Sequence, residues 1–129
     1  MSTIKANTLL HSDGSTTNPP SIPALDKRMA TAWASFQSSG TVAIQDSENI
    51  SSITDSGTGL YKPNFQTSMA NTNYAMAVTS SSTSGSHNDN TCIAYSRSTS
   101  QFTIIVLRAS NGATTDANQT YFVVMGGKA

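Results

Sequence analysis

Apolar residues in this chain come in short runs, and from Gly40 onward most of those runs alternate with a period of two. That is the sign of half-buried strands. Residues 41–45 set Val42 and Ile44 on one face, whereas residues 49–54 carry Ile50 and Ile53 on opposite parities. A bulge or register change inside that second strand reconciles the two. Ser56-Gly57-Thr58-Gly59 supplies positive-φ positions and joins the second strand to a third over 60–65 as a hairpin. Tyr74, Met76 and Val78 share one parity and lead into a Ser/Gly/Asn loop over 80–90. Residues 91–97 and 101–108 read as a further hairpin. Its second strand has Phe102, Ile104 and Val106 on one face and Ile105 and Leu107 on the other, the most buried pattern in the chain. A polar loop over 109–119, with Asn111-Gly112 inside it, precedes a last apolar strand over 120–125. About seven or eight short strands result, and the predicted fold is an all-β antiparallel β-sandwich knob.

Upstream of Gly40 the pattern changes. Between residues 1 and 26 the few apolar side chains are interrupted by a Ser/Asp/Gly/Thr/Asn run and by Pro19-Pro20, with Pro23 following, so no period survives. Residues 1–26 are expected to form an extended N-terminal arm for attachment or intertwining, and residues 27–129 the knob. Leu25, Arg28, Met29, Ala30 and Ala32 favour a short helix within 24–36, with Asp26 in its first turn. Trp33 and Phe36 then end that helix or begin the first strand, and Ser38-Ser39-Gly40 makes a turn.

Composition supports the β reading. Ser and Thr supply 39 of 129 residues and Asn another 10, while only 11% are charged and the formal net charge is zero. Thr and Ser suit water-facing strand positions without like-charge repulsion. Disordered chains lack the Val/Ile/Phe/Tyr runs seen after Trp33 and usually carry net charge. Zero net charge argues against nucleic-acid binding, which needs clustered Lys and Arg. No apolar run is long enough for a transmembrane helix, and no signal-peptide pattern is present. Cys92 is alone, so neither an intrachain disulfide nor a Cys-based zinc site is available, and it is expected to pack as a small apolar residue.

One segment carries a resemblance. Ala32-Trp33, Gly40-Thr41-Val42-Ala43-Ile44, Asp46-Ser47, Asn49-Ile50-Ser51-Ser52-Ile53-Thr54-Asp55, Gly57-Thr58-Gly59, Tyr61, Asn64-Phe65, Met69-Ala70 and Asn73-Tyr74 follow one another in the middle third of the chain. This run resembles a segment that recurs in tail-fibre-like proteins of marine bacteriophages. Lys62-Pro63 departs from the pattern, since proline cannot continue a paired strand and fits an edge or a bulge. The resemblance implies a virion part rather than an enzyme: a short tail-fibre or capsid-fibre subunit that contributes to host-cell attachment. Phage fibres are usually homotrimers, so the arm's Ile4, Leu9, Leu10 and Ile22 are expected to be buried by other copies or by other virion proteins.

Candidate chemistry is sparse. The histidines are His11 and His87, and neither sits in a motif that makes one of the many serines a nucleophile. Asp46, Glu48 and Asp55 could pair for sugar hydrolysis, but capping of strand ends explains the aspartates more simply. No metal or cofactor is expected, because no ligand spacing exceeds chance. The best place for receptor contacts is the 80–90 loop with the strand after it. His87, Asn88, Asp89 and Asn90, with Tyr95 and Arg97, offer adaptable hydrogen bonding and one aromatic able to stack on a sugar. A lectin-like module that recognises a host surface glycan is therefore the alternative to a purely structural subunit.

Overall fold

A computed structural model describes residues 28–81 and 90–128, together with Gly14. The expected arm, with Ile4, Leu9, Leu10 and Ile22, lies outside the described residues apart from that glycine. Eight strands follow in order: β1 (Ala30–Gln37), β2 (Ala43–Glu48), β3 (Ile50–Gly57), β4 (Leu60–Phe65), β5 (Tyr74–Ser81), β6 (Asn90–Tyr95), β7 (Thr103–Arg108) and β8 (Gln119–Gly126). They form two four-stranded antiparallel sheets, ordered β2-β1-β8-β5 and β3-β4-β7-β6. We call them sheet A and sheet B. This is the expected sandwich.

The core lies between the sheets because alternate side chains of every inner strand turn the same way. Ala32, Ala34 and Phe36 of β1 and Phe122 and Val124 of β8 meet Tyr61, Phe65, Phe102, Ile104 and Val106 of the facing layer. Aromatic rings occupy its centre edge to face: Phe102 and Phe122 have centroids 5.1 Å apart, and Phe36 and Tyr61 5.4 Å. Such contacts add to the burial itself. Cys92 of β6 is partly buried and packs against this core, as a small apolar residue would.

The expected helix is not formed where it is described. Ala30 through Phe36 belongs to β1, an inner strand of sheet A, and residues 24–27 lie outside the described residues. Helix propensity is a weak preference. Here it yields to pairing on both edges, to β2 and β8, and to the inward set Ala32, Ala34 and Phe36, which has a period of two.

Two local irregularities were legible. In β3 the register against β4 shifts between Ile50 and Ser52, which lets Ile50 and Ile53 both turn to the core side despite their opposite parities. Pro63 lies on β4, which is an inner strand and not an edge. The proline is accommodated by a break: β4 and β7 pair only at Leu60↔Ile105 and Tyr61↔Ile104. Beyond it, the Pro63 carbonyl accepts from the Phe102 amide at 3.4 Å. A residue's N and O point to the same strand edge, so the donor that proline lacks faces the interrupted side.

Candidate functional site

Of the proposed receptor contacts, Asn90, Tyr95 and Arg97 are among the described residues, and Asn90 stands apart from the other two. His87, Asn88 and Asp89 lie outside the described residues. Asn90 opens β6 opposite Arg108, whereas Tyr95 closes it opposite Thr103, so the two stand about 17 Å apart along one strand. Tyr95 is 44% exposed on the outer face of sheet B. Arg97 is committed elsewhere, since its Nη1 donates to the Tyr74 carbonyl oxygen at 2.9 Å and so ties the turn after β6 to sheet A. The Tyr74 hydroxyl returns the link by donating to the Ser98 carbonyl oxygen at 2.8 Å.

Asp46 and Asp55 bond local backbone as the turn reading expects, although Asp46 lies within β2 and not at its end. Asp46 Oδ1 accepts from the Ser47 amide at 2.9 Å, and Asp55 Oδ1 accepts from the Gly57 amide at 3.0 Å. Asp46 and Glu48 stand on β2 of sheet A, Asp55 on β3 of sheet B. Asp46 and Glu48 are two residues apart on the outer face of sheet A, while Asp55 belongs to the other sheet. Among the described residues no three of His, Cys, Asp and Glu gather where they could hold a metal ion.

The polar cluster that does form buries Tyr61, Ser38 and Thr120 with the exposed Asp116 at its margin, and the sequence analysis missed it. Gly59, in the β3–β4 turn, donates its amide to Asp116 Oδ1 at 2.7 Å and its carbonyl accepts from the Val106 amide at 2.8 Å. The Tyr61 hydroxyl lies against that same Asp116 oxygen, at 2.9 Å, and against the Ser38 carbonyl oxygen. Its single proton serves those two acceptors. Ser38 Oγ donates to the Ala117 carbonyl at 2.9 Å and lies 2.8 Å from Thr120 Oγ1. The segment before β8 is thereby stitched to the β1–β2 turn and to the β3–β4 hairpin. No motif announced this cluster, since its members are scattered between residues 38 and 120. Only Asp116, a lone carboxylate in a polar loop, hinted at it.

Burial pushes the Tyr61 phenol well above the ordinary tyrosine range, and the hydrogen bond to Asp116 and the Asp116 charge add to it. The folded state therefore holds the proton more tightly than the unfolded chain. Stability from this group is complete below the unfolded tyrosine pKa, about 10, and is lost as pH rises towards the folded value. Tyr61→Phe is expected to cost about 1–2 kcal/mol at neutral pH, because a buried acceptor loses its donor. The variant should also lose less stability than wild type between neutral and strongly alkaline pH in denaturant titrations. Parallel pH curves for the two proteins would contradict this assignment.

Comparison with protein-family models, with curated proteins and with solved structures returned no match.

The outer sheet faces are the other surface that the sequence analysis passed over. On sheet A, Trp33 lies beside Glu48 on β2 and Val123 on β8, and Val123 lies beside Ala77 on β5. The next row is Asp46, Ser35, Tyr121 and Thr79. Small Ala77 and Thr79 beside the larger Tyr121 and Val123 leave a shallow trough of about 280 Å³ along β5 and β8. The signal was available in the parity of Trp33, opposite to that of Ala32, Ala34 and Phe36.

Proposed function

We propose that this chain is a structural, non-enzymatic subunit of a phage virion fibre, either a short tail fibre or a capsid fibre, that contributes to host-cell attachment. The observation that carries this reading is where the fibre-like segment falls in the fold. Its residues run through β1, β2, β3 and β4 into the start of β5, and several have architectural roles. Ala32 and Phe65 fill the core, Gly59 makes the tight crossing, Tyr61 anchors the buried polar cluster, and Asp46 and Asp55 accept from adjacent backbone amides. A segment whose matching residues build a frame, and whose Asp46 and Asp55 accept from neighbouring backbone amides, supports a structural part over a hydrolase.

Locating the chain in the particle tests the proposal. Mass spectrometry of purified virions should detect it, and an electron-microscopy reconstruction should show sandwich-sized density on tail or capsid fibres. Its absence from purified particles would refute the assignment. The exposed Tyr95 favours a second reading, a lectin-like module, because an aromatic presented on a rigid strand can stack on a sugar ring. Glycan-array binding abolished by Tyr95→Ala would select it, and an array without signal would remove it.

A further inference from the structure

Tyr95 shares its row of sheet B with a cation. Thr54 pairs with Lys62 and Thr103 with Tyr95, while the Tyr61↔Ile104 pair and the Asn64↔Gln101 bridge on either side bring Lys62 level with Thr103. Lys62 and Tyr95 thus stand two strand spacings apart, about 10 Å, on the outer face. Thr103 between them points outward by its parity yet is only 7% exposed, so neighbouring side chains close over it.

Charge separates the two outer faces of the sandwich. Among the described residues in the strands of sheet B, Lys62 is the charged side chain turned outward, since Asp55 shares the inward parity of Ile53, and Arg108 that of Val106. Sheet A turns out Asp46 and Glu48, and its four strands contain no lysine or arginine. Arg97 is close to Tyr95 in sequence, but its Nη1 is held by the Tyr74 carbonyl oxygen at the sandwich edge. An anion is therefore attracted to sheet B and repelled by sheet A.

We infer that the ligand class of the lectin-like module is an anionic oligosaccharide laid across sheet B. One ring stacks on Tyr95, and a carboxylate or sulfate on the adjoining sugar pairs with the Lys62 ammonium. Ile93, exposed on the same face two residues before Tyr95, presents apolar surface to ring C–H groups. Tyr95 supplies a contact common to many sugars, and Lys62 selects among them by charge. The inference rests on the lectin-like reading and adds to it a second residue and the class of sugar.

A glycan array carrying neutral, carboxylated and sulfated oligosaccharides, probed with the full chain, is the test. Signal should concentrate on the charged members, and its division between carboxylated and sulfated ones names the anion. Lys62→Gln should lower binding to them by about tenfold, to the level of the neutral members. Lys62→Arg, which keeps the charge, should retain most of the binding, and Tyr95→Ala should abolish it. Raising the ionic strength should weaken wild-type binding to the charged members, a measurement that needs no variant should Lys62→Gln fail to melt cooperatively. Neutral oligosaccharides bound as tightly as charged ones, or a charge preference that survives Lys62→Gln, would overturn the inference and leave the lectin-like reading standing. An array without signal, or binding indifferent to Tyr95→Ala, would remove both.

Discussion

Replacing Ile104 by aspartate is expected to cost on the order of 4 kcal/mol or more, because an unpaired charge or an unsatisfied carboxyl would occupy the dry centre of the sandwich. Ile104 has no exposed surface. Its strand neighbours across the sheet are Tyr61 and Ala94, so the new carboxyl would also lie against β4 close to the buried polar cluster. Against a typical domain stability of about 5–15 kcal/mol, a loss of that size removes a large part of the total. Thermal and denaturant melts of Ile104→Asp beside Ile105→Asp make the comparison, since Ile105 is on the opposite face and only partly buried. The first should melt far below wild type and the second much closer to it. Equal shifts would mean that β7 turns its other face to the core.

The second large effect belongs to Gly59. Its φ is +67°, and a Cβ built there would meet the Thr115 and Val106 carbonyl oxygens at 2.7 Å and the Thr115 amide nitrogen at 2.9 Å. Those are backbone atoms of β7 and of the segment that crosses it, and they cannot swing aside as a side chain would. Gly59→Ala should therefore cost about 3 kcal/mol or more, combining left-handed backbone strain with a forced separation of the hairpin from β7. Gly40 is the internal control. It has the same φ of +67° with nothing within 4 Å of the added carbon, so Gly40→Ala carries the strain alone, about 1 kcal/mol. Similar melting points for the two variants would show that the crossing is loose and the clash is relieved without cost.

Gly59 belongs to a turn that was legible in the sequence. Its Gly57-Thr58-Gly59 spelling reads locally as a hairpin turn, and the turn is there between β3 and β4. The stricter reason for glycine at 59 is a contact with residues 106 and 115, more than forty positions downstream. A local motif was legible, and its tightest constraint was not. The same holds for Tyr61. Its inward parity followed from the alternation of β4, but the hydroxyl's partners, Ser38 and Asp116, come from other turns.

The three described residues among the proposed receptor contacts are the converse case. Asn90, Tyr95 and Arg97 are near in sequence, which suggested one surface. An extended strand carries its ends far apart, and Arg97 is drawn across the sandwich edge to the Tyr74 carbonyl. Proximity in sequence becomes proximity in space inside a tight turn and is undone along a strand.

The sequence by itself determined the all-β class and, outside β1, seven short strands, because a period of two in apolar positions leaves few other ways to bury them. It also held the β3 irregularity, since two isoleucines of opposite parity cannot both reach the core without a shift. Only the tertiary structure decided that Ala30–Gln37 is a strand, because two paired neighbours supply hydrogen bonds and burial that outweigh a helix preference of a few tenths of a kcal/mol per residue. It alone decided the sheet order, which brings β5 beside β6. Strand pairing depends on contacts among residues far apart in the chain, and local patterning is the same for any order in which those strands are laid down.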